Sequence, residues 1–99
     1  MSVRESIKEH EGLRLLPYRD TEGLLTIGYG RCLDRVGINQ NEANYIFETD
    51  FRRAVKGADD LIDSMNMPHK LPVVVRDVII EMVFQMGEQG VRQLSLIHI

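Results

Sequence analysis

The sequence lacks a second cysteine, a long apolar run and an excess of basic residues, and each absence excludes a class of protein. With Cys32 as the single cysteine among 99 residues, no disulfide can form within the chain, and a reducing compartment is indicated. No apolar run approaches the roughly 20 residues of a membrane-spanning helix, so membrane insertion is not expected. The formal net charge of −3 gives no basic surface for nucleic acid or anionic lipid.

The residues that are present have the composition of an ordinary globular domain, with 43% hydrophobic and 27% charged residues. A chain of this length allows one domain, or one domain and a fragment of another, around a core of moderate size. Residues 1–5 include an early acid and no apolar run, which is not the pattern of a signal peptide. We therefore expect synthesis in the cytoplasm without a signal peptide.

Two capping boxes predict where helices begin. Ser2 with Glu5 opens a short helix, and Asn39 with Glu42 opens a long connecting helix over residues 39–65. The apolar residues of the long helix recur at helical spacing: Ala43, Ile46, Phe47, Phe51, Ala54, Val55, Ala58, Leu61 and Ile62.

A small antiparallel sheet is predicted between these helices, which makes residues 1–38 an α+β lobe. Residues 13–18 and 24–29 have the character of two strands, joined by a turn at residues 21–23. Pro17 places the first strand at an edge of the sheet, because proline cannot donate to a central ladder. A weaker third strand is predicted around Cys32.

The last predicted helix begins at Pro72, runs to residue 86 and is apolar nearly all round. Such a helix must be covered on several sides, yet little chain follows it. We therefore expect residues 66–93 to be the start of an all-helical lobe from a longer parent protein. The apolar, uncapped residues 94–99 are predicted to be a non-native tail, with an authentic C-terminal strand as the alternative.

The first lobe contains three candidate catalytic residues: Glu11, Asp20 and Thr26. Glu11 falls at the predicted helix end, where the helix dipole favours the protonated form that a general acid needs. Asp20 falls at a strand end and Thr26 on the paired strand. Each also has an ordinary explanation without a function. Glu11 can be a surface glutamate, Asp20 an acid that opens a turn, and Thr26 a β-branched strand residue. Two carboxylates and a hydroxyl facing one cleft are the groups that glycoside hydrolysis uses.

These residues lie in three runs with a distinctive order and spacing: Glu11-Gly12-Leu13, Tyr18-Arg19-Asp20 and Thr26-Ile27-Gly28-Tyr29-Gly30. In this arrangement the chain resembles the phage-type lysozymes, glycoside hydrolase family 24, over residues 3–93. The resemblance implies an α+β, lysozyme-like fold. Such a fold has a small antiparallel sheet lobe, a long connecting helix and the beginning of an all-helical lobe.

The resemblance also implies an activity, that of a muramidase. Such an enzyme cleaves the β-1,4 bond between N-acetylmuramic acid and N-acetylglucosamine in peptidoglycan. In that family the glutamate is the general acid, while the aspartate and the threonine position a water. The resemblance assigns these roles to Glu11, Asp20 and Thr26. The inverting reaction requires the two carboxyl groups to lie about 6.5–9.5 Å apart.

Further positions of the family pattern have counterparts here. Phe84 and Gln85 match positions that line the saccharide cleft, although Phe84 is equally explained as a core residue. Cys32 falls where the family has an apolar cleft residue. Arg31 stands where the family has a histidine that pairs with an acid on the long helix. Because Asp50 lies on the apolar stripe of that helix, we expect Arg31 and Asp50 to form an ion pair, with a solvated Asp50 as the alternative.

The resemblance implies partners as well. The substrate is the glycan strands of peptidoglycan, and a monomer acts on the cell wall after release from the host cytoplasm with a holin-like partner. No cofactor is implied, and no metal site is predicted, because His69 and His98 have no ligand-like neighbours at suitable spacing. An arginine that contacts the catalytic glutamate in the family has no counterpart here. An inactive wall-binding remnant is therefore the alternative to an active enzyme.

A DNA-binding helix-turn-helix is the remote alternative. Residues 37–39 lead into an amphipathic helix that carries Arg52 and Arg53. The same helix carries Asp59, Asp60 and Asp63, and phosphate contact requires a basic face. The charge distribution therefore argues against nucleic acid as a partner.

Overall fold

The computed structural model describes residues 2–65 and 71–97, with side chains described to residue 94. Helices and a small sheet together make an α+β fold, as the sequence predicts. The chain divides into two compact units, Met1–Glu42 and Ala43–Ile99. His69 and His98 lie outside the described residues.

The first unit begins with helix α1, Val3–Glu11. Ser2 is its N-cap, because the side-chain Oγ accepts the backbone N–H of Glu5 at 3.2 Å, and this confirms the predicted helix start. At the other end the Gly12 N–H donates to the Lys8 carbonyl at 2.9 Å. No residue of α1 is buried, so the helix is held by contacts at its surface.

The predicted sheet is present, and its strands are adjacent in chain order and antiparallel. The three strands of the described residues are β1 (Arg14–Arg19), β2 (Leu25–Gly28) and β3 (Arg31–Cys32). This order puts Pro17 on an edge strand, as predicted. The second strand ends earlier than predicted, because Tyr29 and Gly30 make the turn into β3.

Helix α2, Gln40–Ser64, begins at a complete capping box. The Asn39 N–H donates to Glu42 Oε1, and the Glu42 N–H donates to Asn39 Oδ1, each at 2.9 Å. Two backbone donors at the helix start are thereby satisfied reciprocally, which confirms the predicted start of the long helix.

Within the first unit, Arg31 forms an ion pair with Glu42. Arg31 Nη1 donates to Glu42 Oε1 at 2.7 Å and Nη2 donates to Oε2, so the pair is bidentate. Nη1 also donates to the Gly37 carbonyl at 3.1 Å. Asp50 pairs with Arg53 at 3.9 Å, and its side chain is 44% exposed. Each of the two residues thus has a partner within its own unit, and the predicted pair of Arg31 with Asp50 stays a prediction.

Residues of α2 and of helix α3, Val73–Ile97, form the core of the second unit. Gly57 permits a close approach, since a Cβ built there would lie 3.1 Å from Val83 Cγ1. The buried apolar residues are Ala54, Ala58, Leu61, Ile80, Val83 and Val91.

Gly87 interrupts α3 with a non-helical φ of 77° and ψ of 161°. The predicted helix end at residue 86 is therefore a kink, because glycine turns the chain and the helix resumes over residues 88–97. Residues 94–97 belong to this second segment, and the proposed origin of residues 94–99 stays a prediction.

The apolar character of α3 is only partly explained by the core. Val73, Val74 and Val78 near its start are exposed.

Among the described helices, none is both long enough and apolar enough to cross a membrane.

Leu61→Ala should lower the free energy of unfolding by about 2–5 kcal/mol, because it leaves a cavity in the core of the second unit. Leu61 is 3% exposed, whereas Val74 is 73% exposed, so Val74→Ala is the matched control and should cost far less. Urea unfolding followed by circular dichroism measures both. Equal losses in the two variants would contradict the packing described.

The stability that Glu42 contributes should depend on pH. The hydrogen bond from the Asn39 backbone lowers the pKa of Glu42 below its ordinary value of 4.5, and Arg31 lowers it further. A lowered pKa means that this contribution is present above the ordinary value and is lost as the pH falls through the lowered one.

Glu42→Gln should therefore destabilise the protein at neutral pH, and its difference from the wild type should shrink in acid. Thermal unfolding across this pH range measures the difference. Glu48→Gln removes an exposed carboxylate of the same helix and should change stability little at any pH. A Glu42→Gln difference that stays constant into acid would rule out the charged pair as its source.

Candidate active site

Asp20 is held by the turn between β1 and β2. Its Oδ1 accepts the backbone N–H groups of Glu22 at 2.8 Å and Leu24 at 2.9 Å. The Asp20 carbonyl accepts the Gly23 N–H at 2.9 Å and closes the turn. Within the described residues, Oδ2 of Asp20 accepts no hydrogen bond. One carboxylate oxygen therefore fixes the side chain, and the other is available to a ligand.

Thr26 lies beside this turn and is the buried polar residue of β2, with 4% exposure. Its Oγ1 donates to the Leu24 carbonyl at 3.0 Å, and the Asp20 N–H donates to the same carbonyl at 2.9 Å. Because the hydroxyl hydrogen is used in this way, the oxygen of Thr26 can act only as an acceptor toward a ligand. The Leu24 peptide thus connects Asp20 to Thr26.

Glu11 is the last residue of α1 and is exposed. Its carboxylate lies against the turn between β2 and β3, since a Cβ built at Gly30 would be 2.9 Å from Glu11 Oε2. Gly30 also has a φ of 88°, which side-chain-bearing residues rarely adopt. Glycine at this position therefore allows the carboxylate to approach the turn closely.

A row of side chains crosses the sheet through Thr26. Tyr18 of β1 and Cys32 of β3 are the register partners of Thr26 on either side. Partners in register project to the same face of a sheet, so the half-buried Cys32 thiol neighbours Thr26. The structure thus brings together Asp20, Thr26 and Cys32 of the predicted site.

Tyr18 lies in one of the three sequence runs without an assigned role, and Leu24 lies in none of them. Tyr18 lies opposite Thr26 because of the strand register, and this register depends on the position of the bulge between Arg14 and Tyr18. Leu24 acts through its peptide group, and a main-chain role leaves no signal in the type of residue.

Phe84 and Gln85 belong to the second unit, where they line a shallow cavity on α2 and α3. The ring of Phe84 lies 5.7 Å from that of Phe47, which in turn lies 5.8 Å from the ring of Phe51. All three rings remain partly accessible. Contact of Phe84 or Gln85 with a substrate stays a prediction.

In the part of the chain that the structure describes, no three His, Cys, Asp or Glu side chains converge as metal ligands.

Gly30→Ala should displace the Glu11 carboxylate and lower the free energy of unfolding by about 1–3 kcal/mol through backbone strain alone. Gly23 is a matched control, because its φ of 81° is similar and a Cβ there would meet no atom within 4 Å. Gly23→Ala should show the strain without the clash. Urea unfolding and crystal structures of both variants give the comparison. An unmoved Glu11, with equal losses in both variants, would refute the close approach.

Comparison with known proteins identifies the family. The family model described as phage lysozyme matches residues 8–98. A probable T4-type lysozyme of Dictyostelium discoideum is 28% identical over 116 residues, covering 91% of this chain and 68% of that protein. Since the family match spans nearly the whole chain and includes Glu11, Asp20 and Thr26, the chain belongs to the phage lysozyme family of glycosidases, which hydrolyse peptidoglycan.

Proposed function

We propose that this chain cleaves the β-1,4 bond between N-acetylmuramic acid and N-acetylglucosamine, with Glu11 as general acid and Asp20 with Thr26 as the groups that orient water. The observation that carries this proposal is the main chain of Leu24, whose N–H donates to the Asp20 carboxylate and whose carbonyl accepts the Thr26 hydroxyl. Because both side chains bond to the main chain of one residue, the acceptor carboxylate and the acceptor hydroxyl keep a constant position relative to each other.

The two acceptors suit a water molecule that must attack carbon. A water between them donates one hydrogen to Thr26 Oγ1 and the other to Asp20 Oδ2, and its lone pair is left for the anomeric carbon. As the new carbon–oxygen bond forms, the carboxylate of Asp20 takes the proton. The hydrogen bonds to Oδ1 keep the Asp20 side chain from rotating during this step.

Glu11 supplies the proton to the leaving group. Its exposed carboxyl at the end of α1 can reach a bound glycan, and the carbon–oxygen bond breaks as the bridging oxygen takes the proton. This division of roles is that of an inverting glycosidase, whose carboxyl groups lie about 6.5–9.5 Å apart. Proton NMR of the first-formed sugar anomer distinguishes it from a retaining enzyme.

The biological setting is part of the same proposal. A monomer made in the host cytoplasm would reach the wall after a holin-like partner opens the membrane. The single thiol of Cys32 is consistent with synthesis in a reducing compartment.

A wall-binding remnant without activity is the second candidate. Pelleting with purified peptidoglycan, without release of reducing sugar, would identify this alternative.

Glu11→Gln and Asp20→Asn should each reduce the release of reducing sugar from purified peptidoglycan by about 100-fold or more, because each removes a proton-transfer group. Glu9→Gln changes an exposed glutamate of the same helix and is the matched control. Circular dichroism shows whether the variants fold. If Glu11→Gln keeps the wild-type rate, Glu11 is not the acid.

A further inference from the structure

Helix α1 meets the turn between β2 and β3 at two neighbouring points. Lys8 Nζ lies over the ring of Tyr29, 5.3 Å from its centroid. One residue further along the turn, Gly30 lies against the Glu11 carboxylate. Lys8 and Glu11 are three residues apart and so share one face of the helix. The two contacts are therefore adjacent on both elements.

The orientation of α1 depends on few contacts of this kind. Since no residue of the helix is buried, no hydrophobic core fixes its last turn. An ammonium over an aromatic ring is attracted by the ring quadrupole, and the interaction is modest at an exposed site. A modest attraction is sufficient to bias a helix end that is otherwise held only at its surface.

We propose that Lys8 and Tyr29 form a clamp that holds Glu11 in the position from which it donates its proton. Lys8 and Tyr29 are then positioning residues, which act through Glu11. This inference rests on the proposed role of Glu11 as general acid. Proton transfer depends steeply on the distance and angle between donor and acceptor, so a loosened helix end reduces turnover more than binding.

The chain contains a contact of the same type that serves as a control. Arg14 lies over the ring of Tyr18, with its Cζ 5.1 Å from the centroid, within β1. Arg14→Met removes a cation from an aromatic ring without changing α1 or its turn. Any general effect of losing an exposed cation–π contact appears in this variant as well.

Tyr29→Leu and Lys8→Met should each lower kcat by about two- to fivefold, which corresponds to the loss of an exposed cation–π contact. KM should stay within about twofold of the wild-type value, because glycan binding is not the function of the clamp. Tyr29→Phe keeps the ring and should retain the wild-type kcat, and so should Arg14→Met.

Amide hydrogen exchange tests the clamp without reference to activity. The Gly12 N–H is bonded to the Lys8 carbonyl, so its exchange reports opening of the last turn of α1. Exchange at Gly12 should be faster in Tyr29→Leu and Lys8→Met, and unchanged in Tyr29→Phe and Arg14→Met.

Several outcomes would overturn the clamp. The first is that Tyr29→Leu changes neither kcat nor the exchange at Gly12. The second is that Tyr29→Phe is as defective as Tyr29→Leu. The third is that kcat falls as much in Arg14→Met as in Lys8→Met. If Glu11→Gln is inactive and Tyr29→Leu behaves as the wild type, the clamp fails and the role of Glu11 stands. A fully active Glu11→Gln overturns both.

Discussion

The main-chain hydrogen bonds of Leu24 are the constraint on which the rest of the site depends. The Leu24 N–H holds the Asp20 carboxylate, and the Leu24 carbonyl accepts from both the Asp20 N–H and the Thr26 hydroxyl. The main chain of one residue thus fixes an acid and a hydroxyl that are six positions apart in the chain. Because these bonds are local to a hairpin turn, the geometry forms as soon as β1 and β2 pair.

Local hydrogen bonding matters here because the first unit has little apolar core. Among its described residues, the buried one is Thr26, while the buried apolar cluster that includes Leu61 and Val83 belongs to the second unit. A buried hydroxyl is costly unless it is bonded, and the bond to Leu24 meets that requirement. The same bond that makes Thr26 tolerable in the interior also leaves its oxygen free to accept. The hydrogen bond from Thr26 to Leu24 therefore stabilises the buried hydroxyl and also leaves its oxygen available to a ligand.

The features that the sequence predicts correctly are those governed by neighbouring residues. The capping box of Asn39 and Glu42 depends on residues three apart, and so it was predictable. The partner of Arg31 was not, because it depends on which carboxylate the folded chain brings within reach. Gly87 shows a related limit: a glycine indicates a break, but its type does not tell a kink from a helix end.

In the turn between β2 and β3, residue 30 is restricted to glycine, whereas the neighbouring residue 29 can vary. Gly30 is constrained twice, by its positive φ and by the carboxylate of Glu11 at its surface, so no side chain fits there. Tyr29 precedes this glycine in the turn and is 44% exposed. Residue 29 is therefore free to acquire a second function. In this chain it provides the aromatic ring for Lys8, and it can adjust the acid without changing the glycine that admits it.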